Sequence, residues 1–352
     1  MIQESGWFGV SAETLSLMAV FIFLLTAVMV LLIIALRVRL VFRERREKQF
    51  MATWRPRLTA AMFGGPIQEG QIPPSQEFEF LFLWNQMQES VTGESQSGLI
   101  AFAKAHRIEQ VTRRLLEHGT IRERLIAVST LGHLKCRDAW GSLRRLVGGD
   151  DPVLSLAAAR AMTRIDASSA MIFLLPQIST RAEWPPNRVY AILKEAGPAV
   201  VSGPLASAAM QVERSAAPRM IRFLDLCYDE HAFPALRKIM GSTTDPDVLA
   251  ACLDMLRSPH DLGQVRQLMD HAHWRVRMAA AEALGRLGMP HDVDLLVGQL
   301  SDQDWWVRRS AAHALVSLPC LNEETLVELC RTISSPQELA LLERAMAEEK
   351  AA

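Results

Sequence analysis

HWRVRMAAAEAL, residues 273–284, is followed thirty-one residues later by DWWVRRSAAHAL, residues 304–315. Seven of the twelve positions are identical in this register. Alone, the second run looks like a site, because paired tryptophans stand beside paired arginines. Beside the first it is one copy of a repeating unit, and a period near thirty residues marks a stacked-repeat architecture.

Leu284 and Leu315 close the two runs and serve as anchors for the others. Equivalent positions are Leu131, Met162, Leu193, Leu224 and Leu256, with spacings of 31, 31, 31, 32, 28 and 31 along all seven. Four residues before each anchor stand Ala127, Ala158, Val189, Met220, Cys252, Ala280 and Ala311. Positions i and i+4 share a helix face, so each pair predicts a buried stripe. Its mostly small first member lets a neighbouring helix come close.

The helix starts repeat as well. Asp151-Pro152, Asp245-Pro246 and Asp304-Trp305 place a carboxylate where it caps free backbone N–H groups, and proline suits the first helical position. His273-Trp274 fills the same slot, so Trp274 and Trp305 stand where Pro152 and Pro246 stand elsewhere. Val276 and Val307 then begin the buried face. Second helices are predicted at 138–147, 168–178, 231–240, 261–269, 291–300 and 322–333. Helix pairs apolar on one face bury it only by stacking on neighbouring pairs.

The runs at 245–256, 271–288 and 302–318 follow a D-P-x-V-x-x-x-A-A-x-A-L-G-x-L pattern, with weaker versions at 119–134 and 151–165. They resemble the HEAT family, in the short bacterial form related to the repeats of phycobiliprotein lyases. The resemblance spans residues 115–335 or so. It implies an all-α, right-handed α-α superhelix, an armadillo-like solenoid of about seven helix pairs. Capping helices are expected at 77–118, repeats at 119–334 and a C-terminal cap at 335–352. Between 179 and 223 the pattern falters: Trp184-Pro185-Pro186 opens a helix, and Ser202-Gly203-Pro204-Leu205 is expected to interrupt the next.

Ahead of the repeats, residues 15–36 read LSLMAVFIFLLTAVMVLLIIAL, with only Ser16 and Thr26 polar. As a helix this spans about 33 Å, enough to cross a bilayer. A cleaved signal peptide would place positive charge before a shorter apolar core. Here residues 1–14 hold Glu4 and Glu13 and no Lys or Arg. Arg37, Arg39, Arg43, Arg45, Arg46 and Lys48 follow the apolar run instead. The positive-inside rule predicts an uncleaved single-pass anchor in the cell (inner) membrane, with residues 1–14 outside and the rest in the cytoplasm. The basic segment 37–57 is expected to lie against anionic headgroups, with Trp54 at the interface. Residues 58–76, including GGPIQEGQIPPS at 64–75, are expected to form a tether.

From Leu58 onward there are 30 basic and 35 acidic residues, a balance that argues against a nucleic-acid partner. Five cysteines in apolar patterns show no ligand spacing and fit a reducing compartment. No nucleotide-binding loop, hydrolase elbow or metalloprotease motif is present, and no cofactor is called for. His271 and His273 form an HxH, but no third ligand is spaced to complete a metal site. The lyase resemblance implies one enzymatic alternative, a bilin lyase or isomerase. A lipid- or nucleic-acid-binding module is the other alternative to a scaffold.

Second helices usually line the concave face of a solenoid and offer the default recognition surface. Arg144 and Arg145, then Arg237 and Lys238, make the earlier ones basic, and the last two predicted carry net charges of −2 each. This predicts a groove basic at one end and acidic at the other. Trp274 and Trp305, one repeat apart, are expected to neighbour each other on one ridge, with Trp306, Arg308 and Arg309 beside them. Such a ridge either staples two repeats or forms an exposed binding patch. The expected function is that of a membrane-anchored cytoplasmic scaffold or adaptor with a membrane-associated protein partner. The resemblance to anchored bacterial repeat proteins implies a membrane enzyme of envelope or exopolysaccharide synthesis as client.

Overall fold

A computed structural model describes residues 12–67 and 70–351, without the side chains of 12–20, 22 and 43. Most of the expected outer segment, together with residues 68, 69 and 352 and the Arg43 side chain, lies outside the described residues. The chain divides into two compact units, Met1–Val111 and Thr112–Ala352.

The first unit is organised by α1 (Ala12–Met62), whose 51 residues extend about 76 Å. It is long and apolar enough to cross a membrane, and its described side chains between Phe21 and Phe42 are all exposed. The expected boundaries after Leu36 and before Leu58 do not exist as breaks. The helix runs through the basic segment and through Pro56 to Met62. Proline removes one internal hydrogen bond, but Phe50, Trp54, Leu58 and Ala61 recur at helical spacing and are all buried. Burying such side chains is worth about 2 kcal/mol for each large one, enough to hold the helix past the proline.

Trp54 is therefore a core residue rather than a headgroup anchor. It is 5% exposed, meets Phe80 edge-on at 4.9 Å, and its Nε1 donates to Gln76 Oε1 at 2.9 Å. Helices α2 (Glu77–Ser90) and α3 (Glu94–Ala105) complete this core, so the first two expected solenoid caps belong with α1. A Cβ on Gly98 would stand 2.0 Å from the Ala61 carbonyl oxygen, which makes glycine obligatory where α3 touches α1. The unit boundary falls within α4 (Ile108–His118).

The second unit is built from helix pairs. They are α5 (Ile121–His133) with α6 (Trp140–Val147), α7 (Pro152–Ile165) with α8 (Ala167–Thr180), and α9 (Pro186–Ala196) with α10 (Pro198–Gln211). Next come α11 (Ala217–Phe223) with α12 (Asp229–Ser242), and α13 (Pro246–Met255) with α14 (Leu262–Leu268). The series ends with α15 (Trp274–Leu287) and α16 (Val293–Gln299), α17 (Trp305–Ser317) and α18 (Glu323–Thr332), and a last helix α19 (Pro336–Ala351). No strand occurs among the described residues. Every anchor and every residue four before it is fully buried, and the core they form runs continuously from Leu116 to Ala345. That continuity makes the second unit a solenoid.

First helices pack on first helices along α5–α7–α9 and again along α11–α13–α15–α17–α19, while α10 packs on α8, α11 and α12. The expected interruption at Ser202–Leu205 is absent: α10 runs through Pro204, held between α8 and α12. The caps form as the sequence predicts. Asp151 Oδ1 accepts from Val153 N at 2.9 Å, Asp245 Oδ1 from Asp247 N at 3.0 Å, and His273 Nδ1 from Arg275 N at 3.3 Å. Cys320, expected in an apolar helical pattern, is instead exposed in the turn after α17, where no neighbouring helix covers it.

Two struts were not foreseen. Pro259-His260-Asp261 and Pro290-His291-Asp292 open successive second helices, and each Asp is buried against an Arg from the preceding one. Arg237 Nε donates to Asp261 at 2.5 Å and Arg266 Nε to Asp292 at 2.6 Å. Burial works against the Asp292 carboxylate, yet Arg266 and the Met289 N–H hold it below its ordinary value. Buried and paired, these aspartates carry little outward field, so charges counted per helix overstate the expected bipolar groove.

Two predictions follow from the packing. Gly285→Ala places a methyl 2.7 Å from Ala314 Cα and is expected to cost about 1–3 kcal/mol, while Gly298→Ala meets nothing and is neutral or stabilising, in thermal melts of the two variants. The second concerns His133, which burial and the Arg164 guanidinium hold at about 4, below the ordinary 6.5. The unfolded chain therefore binds the proton first as pH falls, and stability is lost from about 6.5 down to about 4. His133→Gln should flatten that part of the pH–stability curve.

Candidate docking groove

The residues that the repeat does not consume gather between α15 and α17. A groove of ≈ 740 Å³ lies there, floored by Gly285 and Ala314 where the two backbones touch. Trp274 and Met278 line it from α15, and Trp306 and Arg309 line it from α17. Glu282 and Arg286 continue the α15 wall at one-turn spacing, facing Ser310 and His313.

Asp304 sets the α17 side. Its Oδ1 accepts from Trp306 N at 2.9 Å, which starts the helix at Trp305. Val307, Ala311 and Leu315 then turn into the core, leaving Trp306 52% and Trp305 41% exposed. The two indoles meet edge-on at 5.0 Å. Trp306, not Trp305, lines the groove with Trp274. Trp305 lines the neighbouring cleft with Leu341 and Ala345 of α19, and the Arg309 guanidinium stands 5.7 Å from its ring. The expected Trp274–Trp305 ridge is thus replaced by a Trp274–Trp306 pair of walls.

Arg308 is not a free binding residue. Its Nη1 donates to the Asp302 carbonyl at 2.7 Å and to Gln303 O at 3.1 Å. Arg277, one repeat earlier, braces His271 O and Ala272 O in the same way, and also grips the Asp302 carboxylate at 2.7 and 2.8 Å. Both arginines therefore hold loops. His271 and His273 are also structural: each Nδ1 accepts a backbone N–H at the start of α15.

The basic residues predicted on second helices lie elsewhere. Arg144 sits over the Phe173 ring at 4.9 Å, Arg145 donates to Ser142 Oγ at 3.2 Å, Arg237 is a strut, and Lys238 is exposed. Met278, Glu282, Arg286 and His313 were missed by the sequence analysis. The signal for them was the stripe continuing from Trp274 and Trp306 at intervals of three or four.

Polar pairing separates this groove from its neighbours. Between α7 and α9, Arg160 and Arg164 both donate to Glu195, at 2.8 and 2.5 Å, and Arg164 also meets His133 of α5. Between α15 and α17 the crossing polar contact is Ser310 Oγ to Glu282 at 2.9 Å. Arg286 turns back to the Leu253 and Asp254 carbonyls of α13. Arg309 is held only at 3.6 Å by Glu348, which His313 and Arg344 share. Aromatic faces and a loosely held guanidinium are left open to solvent.

A sequence profile of HEAT repeats matches residues 233–316 and 264–352, a stretch that contains the entire groove. These are HEAT repeats. Among curated proteins none matches the chain. HEAT repeats generally mediate protein–protein contact, and their surfaces rather than their cores decide the partner.

Of the two roles open to the Trp274 and Trp305 ridge, the staple is filled elsewhere by Trp184, which is 1% exposed and donates from Nε1 to Ser155 Oγ at 2.9 Å. Trp184→Ala should cost roughly 3–5 kcal/mol of stability. Trp306→Ala should cost about 1 kcal/mol or less, because its side chain is already half in water. Chemical denaturation of the two variants checks the contrast.

Proposed function

We propose that the chain is a single-pass membrane scaffold that docks a protein partner in the groove between α15 and α17. The observation that carries this is the pair of tryptophan walls, Trp274 and Trp306, with Arg309 loosely held beside them. Tryptophan and arginine are the residues that dominate protein–protein interfaces, and a shallow groove between two helices suits an apolar peptide or helix segment. Arg309 would accept a partner carboxylate in exchange for its long contact to Glu348. No catalytic step is proposed, and the role is binding.

The anchor is the apolar part of α1, with the HEAT repeats in the cytoplasm, as its basic C-terminal flank favours. A partner already in the membrane gains effective concentration from that tether. The envelope or exopolysaccharide enzyme implied by the resemblance fits this placement.

The test is photocrosslinking in membranes from a probe at position 306 or at position 238 of the full-length chain. A membrane protein captured at 306, lost with Arg309→Glu and absent at 238, is the expected outcome. Capture at 238 alone would move the docking surface to the second helices. A tether control should remove residues 1–36 only, since a cut after Arg57 would take Phe50 and Trp54 from the first unit's core.

A further inference from the structure

Helix α17 has two flanks, and α19 covers one of them. In the small cleft between these helices, Trp305 lies with Leu341 and Ala345, while Arg309 and His313 lie with Glu348. Leu341, Ala345 and Glu348 stand at positions i, i+4 and i+7, which share one helix face. The chain thus contains one worked case of α17 holding a helix: apolar side chains beside an indole, and a carboxylate on the cations one or two turns further on.

The other flank offers the same groups to solvent. Arg309 and His313 line the groove toward α15 as well as the cleft toward α19. Trp306 stands one turn before Arg309 on the groove side, and Trp274 and Met278 add an apolar wall opposite. From Trp274 to Arg286 that wall runs about 18 Å along α15, the length of three helical turns. Gly285 and Ala314 keep the floor low enough for the side chains of a third helix. Charge adds a second constraint. Arg286 and Arg309 line the groove against one carboxylate, Glu282, whose Oε1 already accepts from Ser310 Oγ at 2.9 Å. Glu348, on the far side, is shared by Arg344 at 2.9 Å, His313 at 3.2 Å and Arg309 at 3.6 Å. Two guanidiniums and an imidazole on one carboxylate leave positive charge for a second, which favours an acidic segment over a basic one.

We propose that the groove takes an acidic amphipathic helix of the partner, apolar where it meets Trp274 and Trp306 and carrying a carboxylate for Arg309, and that Glu348 is the resident competitor for that arginine. The proposal rests on the docking groove proposed above and names its occupant. The probe is a synthetic peptide of the α19 sequence, PQELALLERAMAEEKA, with a photoreactive residue in place of Leu341, added to the full-length chain in nanodiscs. It should label Trp274, Met278 or Trp306, and a Glu348→Lys version of the peptide should bind roughly tenfold more weakly. In the chain itself, Glu348→Gln should tighten the unaltered peptide by about threefold to fivefold, the scale of an exposed ion pair, and Arg309→Gln should weaken it. The peptide exchange needs no variant of the chain, so misfolding of either variant leaves the test intact. Equal binding of the acidic and lysine peptides overturns the proposal, as does label at Trp305 and Ala312, which would mark exchange with the resident helix. No labelling, while a membrane protein is still captured at position 306, overturns the helical occupant and leaves the docking groove standing. Loss of both overturns the groove as well.

Discussion

Close backbone contact between first helices is the constraint that sets two junctions of the second unit, α5 with α7 and α15 with α17. A Cβ on Gly132 would come within 2.9 Å of Ala161 Cα, and one on Gly285 within 2.7 Å of Ala314 Cα. In both cases the glycine follows an anchor and meets the alanine that precedes the next anchor. The anchors can share one core only because nothing larger than a methyl separates the helices there. Where Lys194 and Phe223 take the corresponding positions, the stacking passes through α10 instead. The candidate docking groove is a product of the same contact, since its floor is the Gly285–Ala314 touch point.

Charge does a different job from the one that composition suggests. Asp261 and Asp292 are counted as acidic surface in the sequence, yet both are buried and tied to Arg237 and Arg266. Breaking such a pair leaves an uncompensated buried carboxylate, which strongly destabilises the junction it spans. Arg277 adds a third tie, to Asp302. From α12 to α17, consecutive repeats are thus pinned at second helices and at one loop, while the first helices meet through apolar contact along their anchor rows.

The fold was legible because it is periodic. A spacing near 31 with a mostly small residue four positions earlier marked seven pairs, and the structure buries all fourteen of those positions. The site was legible in part. Trp306 and Arg309 could be picked out, since the repeat leaves them unexplained, and Arg308 shares the register of Arg277, but its tie to loop carbonyls was not legible. Neighbouring helical positions point about 100° apart, and only the fold decides which one reaches a loop carbonyl. The course of α1 was hidden by a conflict of signals. Pro56 and a dense basic composition argued for a break, while Phe50, Trp54, Leu58 and Ala61 held helical spacing through it. Tertiary burial outweighed local preference, as it does for Pro204 in α10.

A solenoid's stability is close to a sum over repeats and their junctions, so a change at one junction leaves the others intact. The outward rows two residues before and after the anchors are therefore free to differ. Near the start they hold Arg160, Arg164 and Glu195, whose side chains satisfy one another across the helices. Near the end they hold Glu282, Arg286 and His313, with tryptophans at the open mouth. The same geometry is cross-linked in one place and left accessible in the other. The proposed docking groove lies where inter-helix polar pairing thins to the Ser310–Glu282 contact, whereas charge density alone points to the second helices.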